Sequence, residues 1–416
     1  MGLFPQAQRH PAGPAVGCDH FDSEDEAGVA EIEIGIGKSG RRAYGFDDIA
    51  IVPSRRTRDP GDVDISWQID AYEFALPVLG AAMDGVVSPR TAVELGRLGG
   101  LGVLNLEGLW TRYEDPDAVL AEIAELAPEV ATARMQEIYK EPVRTELIGQ
   151  RVAEMKAEGI TTAASLTPQK VERFHAAALE AGLDILVIQG TVVSAEHVSN
   201  TSEPLNLKDF IARYDLPVIV GGCASYSSAL HLMRTGAAGI LVGVGPGNAC
   251  TSRGVLGIGV PQATAIADAA GARSRHVEET GRYVHIIADG GMRTGGDIAK
   301  AIAVGADAVM LGSPLARATE APGAGYHWGM ATFHPELPRG ARVRVDQIGS
   351  LREVLLGPAM ENDGTLNLFG ALRTSMATCG YASIKEFQRA EVMVAPSLQT
   401  EGKHYQRAQG IGMGRR

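Results

Sequence analysis

VHIIADGGMRTGGDIAKAIAVGADAVMLGS, residues 284–313, carries one full repeat of an α/β fold. VHIIADGG (284–291) is an apolar run that ends on a glycine pair. GGDIAKAIAVG, the next segment, places apolar residues at helical spacing and closes on Gly305, a helix-stop residue. DAVMLGS (307–313) is a second apolar run, ending in Gly-Ser. Two strands joined by a helix form a parallel βαβ unit, and near-continuous apolarity suits strands buried on both faces.

The same rhythm extends backwards through PVLGAAM (77–83), LGVLNL (101–106), TTAAS (161–165), DILVIQG (184–190), PVIVGG (217–222) and AGILVGVG (238–245). Helix-like stretches such as PRTAVELGRLG and PQKVERFHAAALEAG separate them. Eight strands are the number that closes a (β/α)8 TIM barrel, and such a barrel runs past 250 residues as one domain. An open doubly wound sheet is the structural alternative. Residues 29–416 are therefore expected to form a single barrel domain. Two longer intervals interrupt the rhythm. Residues 107–160 read as a helical insertion, and 320–360, rich in Gly and Pro, as a flap after strand eight at the catalytic end. Residues 1–28, with FDSEDE, read as a disordered tail.

The chain has 416 residues and a net charge of −12, which argues against nucleic acid as a partner. Four cysteines without a CxxC pair argue against a disulfide framework or a zinc site. No run is long enough to span a bilayer and no signal peptide opens the chain, so a cytoplasmic protein is expected.

GVGPGNACTS (243–252) follows an apolar strand and sets three glycines ahead of Cys250. Such a loop turns carbonyls toward a cation or N–H groups toward an anion. A thiolate at a strand's C-terminal end is a competent nucleophile for an electron-poor carbon. A structural cysteine in a turn is the alternative, and the glycines weigh against it. Two apparent motifs fail: GVGPGN has Asn248 where a dinucleotide fingerprint needs Gly, and GKSG (37–40) has Ile32 where a P-loop needs Gly. Gly290, Gly291, Gly312 and Ser313 follow strands seven and eight, where barrels bind phosphate. Asp289 can accept from a ribose diol. Alone it suits a helix cap equally well, but beside the glycines it points to a nucleotide monophosphate. The same loops would also suit FMN.

These residues, with AYGFDDIAIVPS (43–54), PQATAI, TEAPG and TSMATCG (374–380), resemble the IMP dehydrogenase/GMP reductase family. The resemblance implies that Cys250 adds to purine C2, with Ser252 nearby in place of the family's usual Thr. It implies that Asp289 holds the ribose, that Asn248, Gly290, Gly291, Gly312 and Ser313 surround the phosphate, and that Met83, Gly329 and Met330 line the nucleotide. Gln189 and Gly190 would face the NAD cofactor. Carbonyls of Gly245, Gly247 and Cys250, with Glu401 and Gly402 of a neighbouring subunit, would bind K+. A homotetramer, or an octamer of paired tetramers, is implied as well. The chain departs from the family pattern in lacking the CBS insertion, in Ala81, Asn248 and Gln189 standing for Ser, Ser and Asp, and in a flap without the Arg-Tyr pair that activates water. Arg339 is the favoured substitute, with Arg342, Arg344 and His334 as alternatives. The expected function is IMP dehydrogenase, making XMP for guanine nucleotide synthesis. GMP reductase with NADPH and a non-catalytic purine-nucleotide sensor are the rivals.

Overall fold

A computed structural model describes residues 31–198, 204–395 and 402–412. The expected tail, 1–28, lies outside them, as does Glu401. The chain divides at Arg42 into two compact units. In the first, the strands Glu31–Gly35 and Lys38–Arg41 pair as an antiparallel hairpin.

The second unit holds a closed barrel of eight parallel strands. In chain order they are β1 (Val78–Gly80), β2 (Leu101–Asn105), β3 (Ala163–Leu166), β4 (Ile185–Gln189), β5 (Val218–Cys223), β6 (Gly239–Val242), β7 (His285–Asp289) and β8 (Ala308–Leu311). Val309 and Met310 of β8 pair with Val78 and Leu79 of β1 and close the ring. All eight strands lie within the runs read from the sequence to within one residue, and the ring, not an open sheet, is formed. Side chains alternate along each strand because successive Cβ atoms point to opposite faces. Leu79, Leu101, Val103, Ile185, Val187, Ile219, Leu241, Ile287 and Met310 fill the barrel interior. Their neighbours, such as Val78, Leu104, Leu186, Val220 and Ile286, pack outward in the larger cluster that includes helix residues.

The N-terminal end of the barrel is plugged by a short hairpin, Trp67–Ile69 with Tyr72–Phe74. Its Trp67 and Phe74 rings stack at 5.2 Å and belong to the interior cluster. Beside that end, Asp307 enters β8 fully buried. It accepts from Arg273 at 2.8 Å, Tyr283 at 2.7 Å, Lys385 at 2.5 Å and the Ile286 amide at 2.8 Å. Burial alone would raise its pKa, but Arg273 and Lys385 outweigh burial and hold it at about 2.

Between β2 and β3 lie three helices, Pro116–Glu125, Pro128–Ile138 and Thr145–Ala157. The third packs against helix Val171–Glu180 as part of the barrel's outer layer. The first two, with the loop before them, are therefore extra to the barrel repeat. After β8 the chain makes a two-residue pairing of Tyr326–His327 with Val343–Arg344, which encloses the loop 328–342. Among the described residues no helix is long and apolar enough to cross a membrane.

Candidate active site

The C-terminal ends of the strands open into one cleft of about 1340 Å3. A drug-sized site occupies roughly 300–1,000 Å3, so this cleft has room for a nucleotide and a second ligand.

Cys250 stands in the loop after β6 and is partly exposed to the cleft. Its Sγ donates to Ser252 Oγ at 3.3 Å. Ser252 is fully buried at the start of the short helix Ser252–Leu256. Arg253, in the same helix, donates to the carbonyls of Val244 and Val260. Gln262 of the PQATAI segment is buried and donates to Val242 O at 2.7 Å and Asp289 O at 3.2 Å. It ties the end of β6 to the end of β7. Gly243 completes that junction: its φ is +153°, and a Cβ there would stand 2.2 Å from Asp289 O. Only glycine permits the two main chains to touch.

Asp289 ends β7 at the foot of the cleft. Burial pushes its carboxyl up to about 7, partly offset by the Gln189 amide, which donates to Oδ2 at 3.1 Å. Gly290 and Gly291 both have positive φ, +79° and +81°. Consecutive residues in that region turn amides out of the usual strand direction, as an anion-binding loop requires. Gly312 and Ser313 face the same cleft, with Met83 packed so that a Cβ on Gly312 would meet its sulfur at 3.0 Å. Asn248, Gly190, Gly245, Gly247, Gly329, Met330 and Arg339 line it too. The barrel thus brings together every described nucleotide and cofactor residue singled out from the sequence.

One site residue escaped the sequence reading. His327 is buried, lines the cleft and shares a 2.8 Å hydrogen bond between Nε2 and Ser313 Oγ. Burial pushes its pKa down to about 4, so the ring is neutral at pH 7. With the proton on Nε2, the ring donates to Ser313 and leaves that hydroxyl's own proton for an anion. A lone histidine after a Gly-rich loop gives no local signal of this.

The flap candidates separate by geometry. Arg342 donates to Leu126 O at 2.5 Å and to Ile123 O, and so turns into the first extra helix. Arg344 is exposed. Arg339 and His334 line the cleft. Flap and catalytic loop are joined by main chain: Thr251 N donates to Arg339 O at 3.1 Å and Ala341 N to Ala249 O at 2.9 Å.

Two of the carbonyls around the loop expected to bind K+ already have partners. Gly247 O already accepts from Cys250 N at 3.1 Å, and the Arg253 guanidinium lies against Val244 O, with a Cβ on Gly245 placed 2.8 Å from its Cγ. Gly402 is exposed beside helix Lys403–Gln409. For a nicotinamide cofactor, Gln189 and Gly190 border the cleft beside the Cys250 loop, and the volume suffices.

The family model for the IMP dehydrogenase/GMP reductase domain matches residues 43–334. The chain belongs to that family, a class of oxidoreductases. It is 52% identical over 373 residues to an uncharacterized oxidoreductase of Mycobacterium leprae, covering 88% of this chain and all of the relative. It is 29% identical to the inosine-5'-monophosphate dehydrogenase of Methanocaldococcus jannaschii, over 87% of this chain and 94% of that one. The crystal structure of an IMP dehydrogenase/GMP reductase-like protein from Corynebacterium glutamicum superposes with a TM-score of 0.84 at 48% identity, over 88% and 97% of the two chains.

Proposed function

We propose that the protein is an IMP dehydrogenase that oxidises IMP to XMP through a covalent adduct of Cys250. The observation that carries this is the thiol of Cys250, held beside Ser252 at 3.3 Å in the same cleft as Asp289 and the two phosphate loops. In this reading the Cys250 thiolate adds to C2 of the purine. Gln189 and Gly190 would hold NAD+, which would supply the hydride acceptor when bound. C2 then loses its hydride to it and a thioimidate remains on Cys250. Water then adds to C2, the C–S bond breaks and XMP leaves with the thiolate restored. Arg339 of the flap is the candidate to activate that water. A homotetramer belongs to the same reading.

NADH formation from IMP and NAD+ by the purified protein tests it. A second reading, reduction of GMP with NADPH, is favoured by a flap that lacks the Arg-Tyr pair expected to activate water, since that reaction needs no activated water. Oxidation of NADPH with GMP, and no NADH from IMP, would establish it instead.

Asp289 gives a pH prediction. Its carboxyl titrates near 7 in the unliganded site, and two ribose hydroxyls donating to it favour the charged form. Binding near pH 6 should therefore release a proton, and affinity should rise about tenfold per pH unit below that pKa. Calorimetry in buffers of different ionisation enthalpy measures the release. Equal proton release by Asp289→Asn would show that the nucleotide, not Asp289, is its source.

His327→Phe should weaken IMP binding about tenfold, the worth of one well-placed hydrogen bond in a buried site. Inosine, which lacks the phosphate, should bind both proteins alike. An equal loss for inosine would place His327 outside phosphate recognition.

A further inference from the structure

Tyr139 follows the second extra helix, far in sequence from both the cysteine loop and the flap, yet it meets both of their supports. It is buried, with 6% of its surface exposed. Its hydroxyl donates to Asp84 Oδ2 at 2.5 Å and accepts from Trp328 Nε1 at 2.7 Å. Its ring stacks on Phe333 with centroids 3.5 Å apart and planes within 6°. Trp328 and Phe333 belong to the flap. Asp84 follows Met83 at the end of β1 and also accepts the Leu109 amide at 3.1 Å. Two further bonds run between the same partners: Gln136 Nε2 donates to His334 O at 3.0 Å, and Arg342 donates to Leu126 O.

A continuous chain of contacts results. It runs from Met83 through Asp84 to Tyr139, then through Trp328 and Phe333 along the flap to Arg339 and Ala341. There it returns by main-chain bonds to Thr251 and Ala249, on either side of Cys250. A loop bound only at the cysteine end would be free to lift, because two main-chain hydrogen bonds are weak against loop entropy. The buried aromatic stack and the shared hydroxyl supply the second anchor.

We propose that Tyr139 is a positioning residue that holds the flap on the catalytic loop, so that the helical insertion sets the flap's resting place. Its placement of the flap stands on contacts alone. Its effect on turnover rests on the dehydrogenase reading above, in which the flap supplies the water-activating group.

Tyr139→Phe keeps the ring stack and removes both hydroxyl bonds. Trp328→Phe removes one of them from the other side. Hydrogen exchange of the full-length protein reads the flap directly. In both variants the amides of Thr251 and Ala341 should exchange at least about tenfold faster, the change expected for losing one buried hydrogen bond, and the increase should be larger in Tyr139→Phe, which loses two. Those of helix Val171–Glu180 should not change. The kcat for NADH formation should fall several-fold while IMP affinity stays constant. Unchanged exchange at Thr251 and Ala341 in both variants would overturn the proposal, as would faster exchange with an unchanged kcat. If the unaltered protein makes no NADH but the variants exchange faster, the dehydrogenase reading fails and the anchoring by Tyr139 stands.

Discussion

Cys250→Ala is expected to lower kcat for IMP oxidation by at least about 10^3-fold, roughly 4 kcal/mol of barrier. Nothing else in the loop can replace the thiolate. Ser252 is fully buried and its hydroxyl is a far weaker nucleophile near neutral pH, while Asn248 has no nucleophilic group. The nucleotide should still bind to the variant within a few-fold, because Asp289, Gly291 and Ser313 lie on other loops. Stopped-flow absorbance at the NADH band, with IMP affinity measured separately, gives both numbers. Normal turnover by the variant would refute covalent catalysis and with it the role assigned to the glycine-rich loop.

The second large effect lies at the opposite end of the barrel. Asp307→Ala should destabilise the protein by about 3–5 kcal/mol, the usual cost of removing one partner from a buried ion pair. Arg273, itself nearly buried, and the Tyr283 hydroxyl would lose their acceptor. The pH dependence has a definite sign. The folded pKa of Asp307 lies below its unfolded value, so the stabilisation is present above about pH 4 and is lost as pH falls through about 2. Denaturant unfolding at neutral and acid pH should show the two proteins converging in stability as the solution becomes acid. IMP affinity at pH 7 should not change, since a barrel's N-terminal end serves stability and its C-terminal end serves chemistry. A variant as stable as the parent at pH 7 would show that Arg273, Tyr283 and Lys385 form no cooperative cluster with Asp307.

The contrast between these two residues explains what the sequence revealed. Cys250 is announced by its neighbours, because a loop that must bend tightly after a strand needs glycines at adjacent positions. The eight strands are announced in the same way, each by a short apolar run bounded by glycine or a polar residue. Asp307, Tyr139 and His327 carry no such local mark. Their partners stand 34, 189 and 14 residues away, and what makes each one matter is a contact created by the closed ring. Gln189 illustrates a middle case. Its place at the end of β4 followed from the strand pattern, but its bond to Asp289, 100 residues on, did not. The helical intervals were visible as amphipathic stretches. That only two of the three helices are extra became visible once the third was seen packed in the outer layer.

Gly243 has a consequence for how this lineage can change. The loop that leads to Cys250 and the end of β7 meet main chain to main chain, with Gln262 bonded across the seam. If Asp289 grips a ribose and Cys250 reaches a base, as proposed, the spacing between them is thus a gauge cut in peptide bonds. Exchanges of side chain at positions 81, 189 and 248 leave that gauge untouched. They can retune which partner is read and how fast the chemistry runs, while the length of molecule that fits stays the same.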